Sequence, residues 1–326
     1  MNKKTNCPLN VADNFSGSNS RAVTSIDWLQ IDSRGTLIPS HHFLTFDTEK
    51  STAIFKKLYM IYDEKNYVAS IVSEPFMTGG ETGLPPNLNL IKLINRELYY
   101  EKPVSRIVAI SLDHNLQPYR PSRIDVCVDF NNFLQSFKPE TLIKGFLYDR
   151  FMKKGTRNYI VQGKQDGKNI PHYLKFSKPR SNVDTYLYNK SHEMREVKLK
   201  PWIVERWEHG GLDMTEDVWR LEFAIHNPAF NYTNTTTGET KMFNYENLDN
   251  PAEVSEIIRV MISKYFDFRR NTGIKEVSDM PKIKLFSGIK DCKIDFTRPT
   301  SVESDKADRN FIKRLKELNK DRKSVV

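Results

Sequence analysis

Between Ser122 and Phe130 every second residue is large and apolar: Ile124, Val126, Val128 and Phe130. A period of two is the signature of a strand, because successive side chains point to opposite faces. Arg123, Asp125, Cys127 and Asp129 then share the other face, so the strand offers one side to a core and the other to charge. Val218–His226 repeats the pattern, with Trp219, Leu221, Phe223 and Ile225 on one side and Arg220, Glu222, Ala224 and His226 on the other. Two such strands call for a sheet with a packed face, which restricts the chain to architectures that cover a sheet with helices.

The flanking segments fill in that frame. Thr24–Ile31 alternates as a strand, and His42–Phe46 is a candidate neighbour. Across Thr48–Tyr62 the recurrence of Ile54, Leu58 and Ile61 predicts a helix, and the Gly- and Pro-rich stretch 78–89 reads as a loop. Pro139–Met152 is a predicted amphipathic helix, with Pro139 in its first turn and Glu140 at the positive end of its dipole. Tyr159–Val161 and Tyr173–Phe176 flank Asp166-Gly167, a hairpin signal. Thr185–Tyr188 reads as a short strand running into a helix at Ser191–Lys200 that Pro201 ends. After about Asn250 helices are expected to dominate: an amphipathic one at Val254–Phe266 and a basic one at Lys306–Arg322 with Phe311, Ile312, Leu315 and Leu318 on one stripe. The class is α+β, an antiparallel sheet with helices on one face, followed by a helical C-terminal section. Its regions are a polar, disordered arm at 1–20, a sheet-bearing domain at 21–249 and a basic helical region at 250–326.

A net charge of +9 over 326 residues attracts polyanions, of which nucleic acid is the commonest in a cell. Cys7, Cys127 and Cys292 lie far apart and form no CxxC pair, so neither a structural zinc nor an oxidising compartment is expected. The leading residues lack the apolar run of a signal peptide, and no stretch approaches the ~18 apolar residues of a spanning helix. The expected location is the cytoplasm, with no membrane role.

Geometry limits what the strand carboxylates can do. Asp125 and Asp129 are ~13 Å apart along one face, too far to ligate one ion together directly. They can point into a shared cleft, where Glu222 from the other two-faced strand is the natural second contributor of oxygen, a donor set suited to Mg²⁺ or Mn²⁺. The plain alternative is a solvated face on which carboxylates and arginines pair across the ladder. Tyr186, Tyr188 and Lys190 share a face of a strand about to become a helix. A phenol of pKa ~10 is a poor nucleophile until a cation stabilises its phenolate, which Lys190 can supply; packing is the alternative role for both tyrosines. His41 and His42 are adjacent and point to opposite faces, so they make no paired ligand; His226, beside Glu222 and Arg220, is the best placed histidine.

Arg123-Ile-Asp125-Val-Cys-Val-Asp129-Phe, the hairpin Tyr159–Phe176, Tyr188-Asn189-Lys190 with a polar helix behind it, and Trp219-Arg220-Leu-Glu222-Phe follow one another in an order that resembles the replication initiation factor family. That family comprises rolling-circle initiators of small bacterial plasmids and related relaxases, and the likeness spans roughly Ser122 to His226. It implies an HUH-endonuclease-like or relaxase-like catalytic domain without the usual paired histidines. It also implies that Tyr188 attacks an origin phosphodiester, becomes linked to the 5′ phosphate and frees a 3′ hydroxyl. The metal positions map onto Asp125 and Glu222, with Asp129 a further acid, while Lys190 and Arg220 balance charge. Single-stranded or extruded origin DNA is the implied partner, alongside a host helicase and a second copy of the chain. Arg123, Tyr186 and Lys175, with Lys313 and Arg314 on the terminal helix, are the expected DNA contacts. A mobilisation relaxase with the same chemistry, and a non-enzymatic DNA-binding initiator, remain as alternatives.

Overall fold

The computed structural model of the protein describes residues 21–40, 42–79, 83–155, 158–165 and 169–297. The leader at 1–20, the Asp166-Gly167 turn and the basic segment 306–322, with Lys313 and Arg314, lie outside the described residues. The chain forms two compact units. Among the described residues the first holds 21–29, Asn95–Val104 and Arg123–Phe296, and the second holds Gln30–Ile94 and Ser105–Ser122.

Strand β1 (Ala22–Arg34) starts in the first unit and ends in the second. In the second unit β2 (Leu44–Asp47), β3 (Phe55–Asp63), β4 (Asn66–Pro75) and β5 (Leu88–Leu93) form an antiparallel ladder that ends on β1. Ile31, Ile61, Ile71 and Ile91 are 0% exposed and share one face of it. Helix α1 (Pro103–Asp113) lies against that face, where Ser111 Oγ meets Ser33 Oγ at 3.0 Å. The helix expected across Thr48–Tyr62 is instead β3. Ile54, Leu58 and Ile61 do recur at helical spacing, but a two-residue turn at Glu64 and Lys65 lets Phe55–Asp63 pair along β4, and Glu64 takes the left-handed conformation (φ 55°) that the turn needs. Nothing in Glu64-Lys65 advertises such a turn, which usually carries Asn or Gly.

Strand β6 (Gln117–Phe130) leads back to the first unit. There follow α2 (Pro139–Leu147), β7 (Phe151–Lys153), β8 (Tyr159–Gln165), β9 (Asn169–Phe176), β10 (Val183–Asn189), α3 (Lys190–Glu196), α4 (Pro201–Gly210) and β11 (Trp219–His226). Then come β12 (Phe230–Asn234), β13 (Thr240–Met242), α5 (Pro251–Tyr265), β14 (Phe268–Arg270) and β15 (Cys292–Phe296). The ladder β6-β11-β10-β9-β8 is antiparallel throughout. The helix expected over Ser191–Lys200 ends already at Glu196, and Pro201 opens α4 instead of ending that helix, as its preset φ allows at a first helical position. Beyond α5 the described chain is short strands and turns, so the helical C-terminal section does not extend through it.

Along residues 124–130 of β6 and most of β11 both faces of this sheet are buried, which rules against the alternative of one solvated side there. On the apolar face Val126, Val128, Leu187, Leu221 and Phe223 are 0% exposed. Phe146 of α2 packs edge-on to Phe176 at 5.4 Å, and Phe130 meets Phe133 at 4.9 Å. On the opposite face Asp125, Cys127, Asp129 and Arg220 are at most 2% exposed, under Trp207 from α4 and Tyr99 from the turn Asn95–Tyr99. Helices therefore lie on both faces, α2 on one and α4 on the other. Burying a charged face is costly unless each charge is matched, and the register supplies the match.

Candidate active site

Register places the charged side chains opposite one another: Arg220 faces Asp129 across one ladder and Tyr188 across the next, while Glu222 faces Cys127 and Tyr186. Arg220 is 0% exposed and all three of its guanidinium nitrogens donate. Nε and Nη2 reach the two oxygens of Asp129 at 2.7 Å each, Nη1 reaches Asp27 Oδ1 at 2.6 Å, and Nη2 also reaches the Tyr99 hydroxyl at 3.0 Å. Trp207 Nε1 donates to Asp129 Oδ2 at 2.7 Å. Burial alone raises the Asp27 carboxyl, but the Arg220 guanidinium, and behind it Lys190, hold it well below the usual carboxylate range. This is a closed, fully matched network, so Arg220 and Asp129 support the site from beneath rather than reach a ligand.

Above that network sits Tyr188. Its hydroxyl donates to Glu222 Oε2 at 2.8 Å and receives Lys190 Nζ at 3.4 Å, and both Tyr188 and Glu222 keep part of their surface open. The sequence Tyr188-Asn189-Lys190 explains the geometry. Asn189 ends β10 and caps α3, its Oδ1 accepting from His192 N at 2.7 Å, so the chain turns into a helix at Lys190. The turn folds the Lys190 side chain back over the Tyr188 ring, 5.3 Å from its centroid, where it also pairs with Glu193. Lys190 is 1% exposed. Replacing Asn189 by Ala is expected to cost about 1–2 kcal/mol in thermal unfolding and to slow any chemistry at Tyr188, since it frees the turn that aims Lys190.

Burial, and after it the charge of Glu222, pushes the Tyr188 phenol well above its ordinary value, with Arg220 acting the other way. Glu222 is itself pushed up to about 7, by burial first and then by Asp27, with Asp125 adding to the crowding and Arg220 opposing it. A carboxylate with that proton affinity, in hydrogen-bond contact with a phenol, has the properties that general-base chemistry near neutral pH requires.

The other expected residues are arranged around this pair. Arg123 donates to both oxygens of Asp125, at 2.8 and 2.6 Å, and lies 4.5 Å over the Trp28 ring. Tyr186 shares the Tyr188 face, but its hydroxyl turns to Asp184 Oδ2 at 3.4 Å, with Lys175 4.9 Å over its ring and 3.5 Å from the same carboxylate. His226 Nε2 also points toward Asp184, at 3.8 Å. Asp27, Tyr99 and Trp207 were not singled out from sequence; a lone carboxylate inside the apolar strand Ser25–Ile31 was the one available signal. Lys200, at the start of α4, was missed too. Burial and the neighbouring Lys190 lower its amine.

These donors can be compared with what a divalent ion needs. Both oxygens of Asp129 are taken by Arg220 and both of Asp125 by Arg123, while Glu222 holds the Tyr188 hydroxyl. Among the described residues no group of three His, Cys, Asp or Glu side chains is placed to hold a metal. As placed, the donor set does not fit a resident Mg²⁺ or Mn²⁺: an ion at Asp125 and Glu222 has to displace Arg123 and the phenol first.

No protein-family model matches the sequence, and no curated protein does. Among the described residues no helix is long and apolar enough to cross a membrane. A solved structure of a rolling circle replication initiator protein from Geobacillus stearothermophilus superposes on 81% of this chain and 93% of that chain, with a TM-score of 0.46 and 15% sequence identity.

Proposed function

We propose that this protein cuts and rejoins one DNA strand by transesterification at Tyr188, in the manner of an initiator of rolling-circle replication. The observation that carries the reading is the Tyr188 hydroxyl held between the Glu222 carboxylate at 2.8 Å and the Lys190 ammonium at 3.4 Å. The order of sequence blocks around it, resembling the replication initiation factor family, supplies the class of substrate.

In the forward step Glu222 takes the phenolic proton while Lys190 stabilises the phenolate. The Tyr188 oxygen attacks phosphorus, the bond from phosphorus to the 3′ oxygen breaks, and the departing 3′ oxygen takes up the proton held by Glu222. The products are a 5′-phosphotyrosine and a free 3′ hydroxyl. The ester linkage is conserved, so the reverse step reseals the strand without ATP. A phenol on a sheet cannot come in line with a phosphate inside a closed duplex, so the substrate strand is single or extruded.

The test is a set of single-stranded oligonucleotides tiled across the DNA flanking the gene, incubated with the protein in Mn²⁺ or in EDTA and analysed after denaturation. A protein–DNA adduct is expected, and Tyr188→Phe is expected to abolish it. An adduct that survives in Tyr188→Phe assigns the nucleophile elsewhere, Tyr186 first. No adduct with any tile, in either buffer, rejects the reading in favour of non-covalent DNA binding.

A further inference from the structure

Within the second unit, the start of β6 holds an arrangement that the chemistry at Tyr188 does not use. Tyr119 is 60% exposed. The guanidinium of Arg34 stands 5.3 Å from the centre of its ring and that of Arg120 stands 5.6 Å from it. Arg120 Nε also donates to Asp32 Oδ2 at 3.3 Å, which fixes this guanidinium beside the ring while its side chain stays 48% exposed. A ring left in water contributes little to folding, and two cations held against it raise the local positive potential. A ligand that brings a flat π system and negative charge together suits both features.

The neighbouring surface continues the theme. Asp32 alternates on β1 with Gln30 and Arg34, and across the ladder Asp32 faces Leu90 and Gln30 faces Lys92. Ser70 and Val72 follow on β4, then Met60 and Leu58 on β3, all part-exposed. The other side of the same strands is the core lined by Ile31, Ile71 and Ile91, each 0% exposed. The open side is thus a broad sheet surface, mixed apolar and cationic, with the Tyr119 cluster on its β6 border.

We propose that this surface is a track for single-stranded DNA, with Tyr119 as a platform on which a base stacks and Arg34 and Arg120 as contacts to the flanking phosphates. The assignment rests on the reading of the protein as a strand-cleaving enzyme. Arg34 and Arg120 outnumber Asp32 here, and Asp32 is already paired with Arg120, so the patch complements a polyanion. Stacking on Tyr119 needs an unpaired base, which excludes duplex DNA from this contact.

Fluorescence anisotropy of a labelled oligothymidylate tests the track on the full-length protein. Tyr119→Ala is expected to weaken binding roughly tenfold, Tyr119→Phe to leave it unchanged, and Arg120→Gln to lower the dependence of affinity on salt. Binding of an abasic strand of equal length should not respond to Tyr119→Ala. The proposal is overturned if Tyr119→Ala binds oligothymidylate as the wild type does, or if it weakens the abasic and thymidylate strands equally. Tighter binding of oligouridylate than of oligothymidylate overturns the choice of DNA. None of these measurements needs cleavage. A missing phosphotyrosine adduct therefore removes the proposed chemistry and leaves the track, whereas an unchanged affinity in Tyr119→Ala removes the track alone.

Discussion

Replacing Arg220 by Met is expected to destabilise the first unit by about 3–5 kcal/mol, because it leaves Asp129 buried without its paired cation and takes from Asp27 its main counter-charge. The guanidinium is 0% exposed and donates to both oxygens of Asp129 and to Asp27. For a unit of this size the melting temperature should fall by on the order of 10 °C. The pH dependence identifies the cause. In the wild type Asp27 is held well below the usual carboxylate range, so the stability it contributes is present above the unfolded value of ~3.9 and lost only as pH falls through the lower folded value. In the variant burial of Asp27 is opposed only by Lys190, the Tyr99 hydrogen bond and Lys200, so its carboxyl rises and the folded state gains protons, and stability, as the solution is acidified. The gap between the proteins should be widest at neutral pH and narrow toward pH ~5. Adding Asp129→Leu should return part of the loss, since it removes one of the stranded charges. Equal melting temperatures at neutral pH would show that Arg220 does not hold this network together.

The network explains which parts of the molecule could be read in advance. The alternations in Ser122–Phe130 and Val218–His226 correctly marked β6 and β11, because a period of two is a local property of the chain. Register is not local. That Arg220 lands opposite both Asp129 and Tyr188 depends on how β6, β11 and β10 align, and no single strand encodes it. A solvated face stayed open as the alternative to a cleft because the residues that cover it, Tyr99 and Trp207, come from segments remote in sequence. Asp125 looked free to bind a metal for a related reason: Arg123 points the same way, and whether it pairs with Asp125 or stays in water depends on Trp28 beneath its guanidinium. At Thr48–Tyr62 two periods coexist in the same residues, and the neighbouring strand β4 decided between them. Tyr188-Asn189-Lys190 is the opposite case. Its geometry comes from a capping residue within the motif, and that is why so short a block carried usable information.

Glu222→Gln is expected to slow adduct formation by roughly 10²–10⁴-fold, the span associated with losing a positioned general base, while leaving the protein at least as stable above pH ~7. The two parts of this expectation have one origin. Burial, followed by the charge of Asp27, lifts the Glu222 carboxyl from its ordinary 4.5 to about 7. A carboxyl with a raised folded value favours the folded state when protonated, and that advantage fades as pH rises from the unfolded value through the folded one. Above it the ionised side chain is a net cost that glutamine avoids. Catalysis runs in the reverse sense, because only the ionised form can accept the Tyr188 proton. Single-turnover adduct formation should therefore climb about tenfold per pH unit below the midpoint and level off above it. Tyr188 itself stays protonated through this range, since burial and Glu222 push its phenol up, so the profile reports the base rather than the nucleophile. In Glu222→Gln the climb through pH ~7 should vanish along with most of the rate. A wild-type rate that is level from pH ~6 to ~8, or a Gln variant that keeps both rate and profile, would place the proton acceptor elsewhere and reduce the 2.8 Å contact between Tyr188 and Glu222 to a structural role.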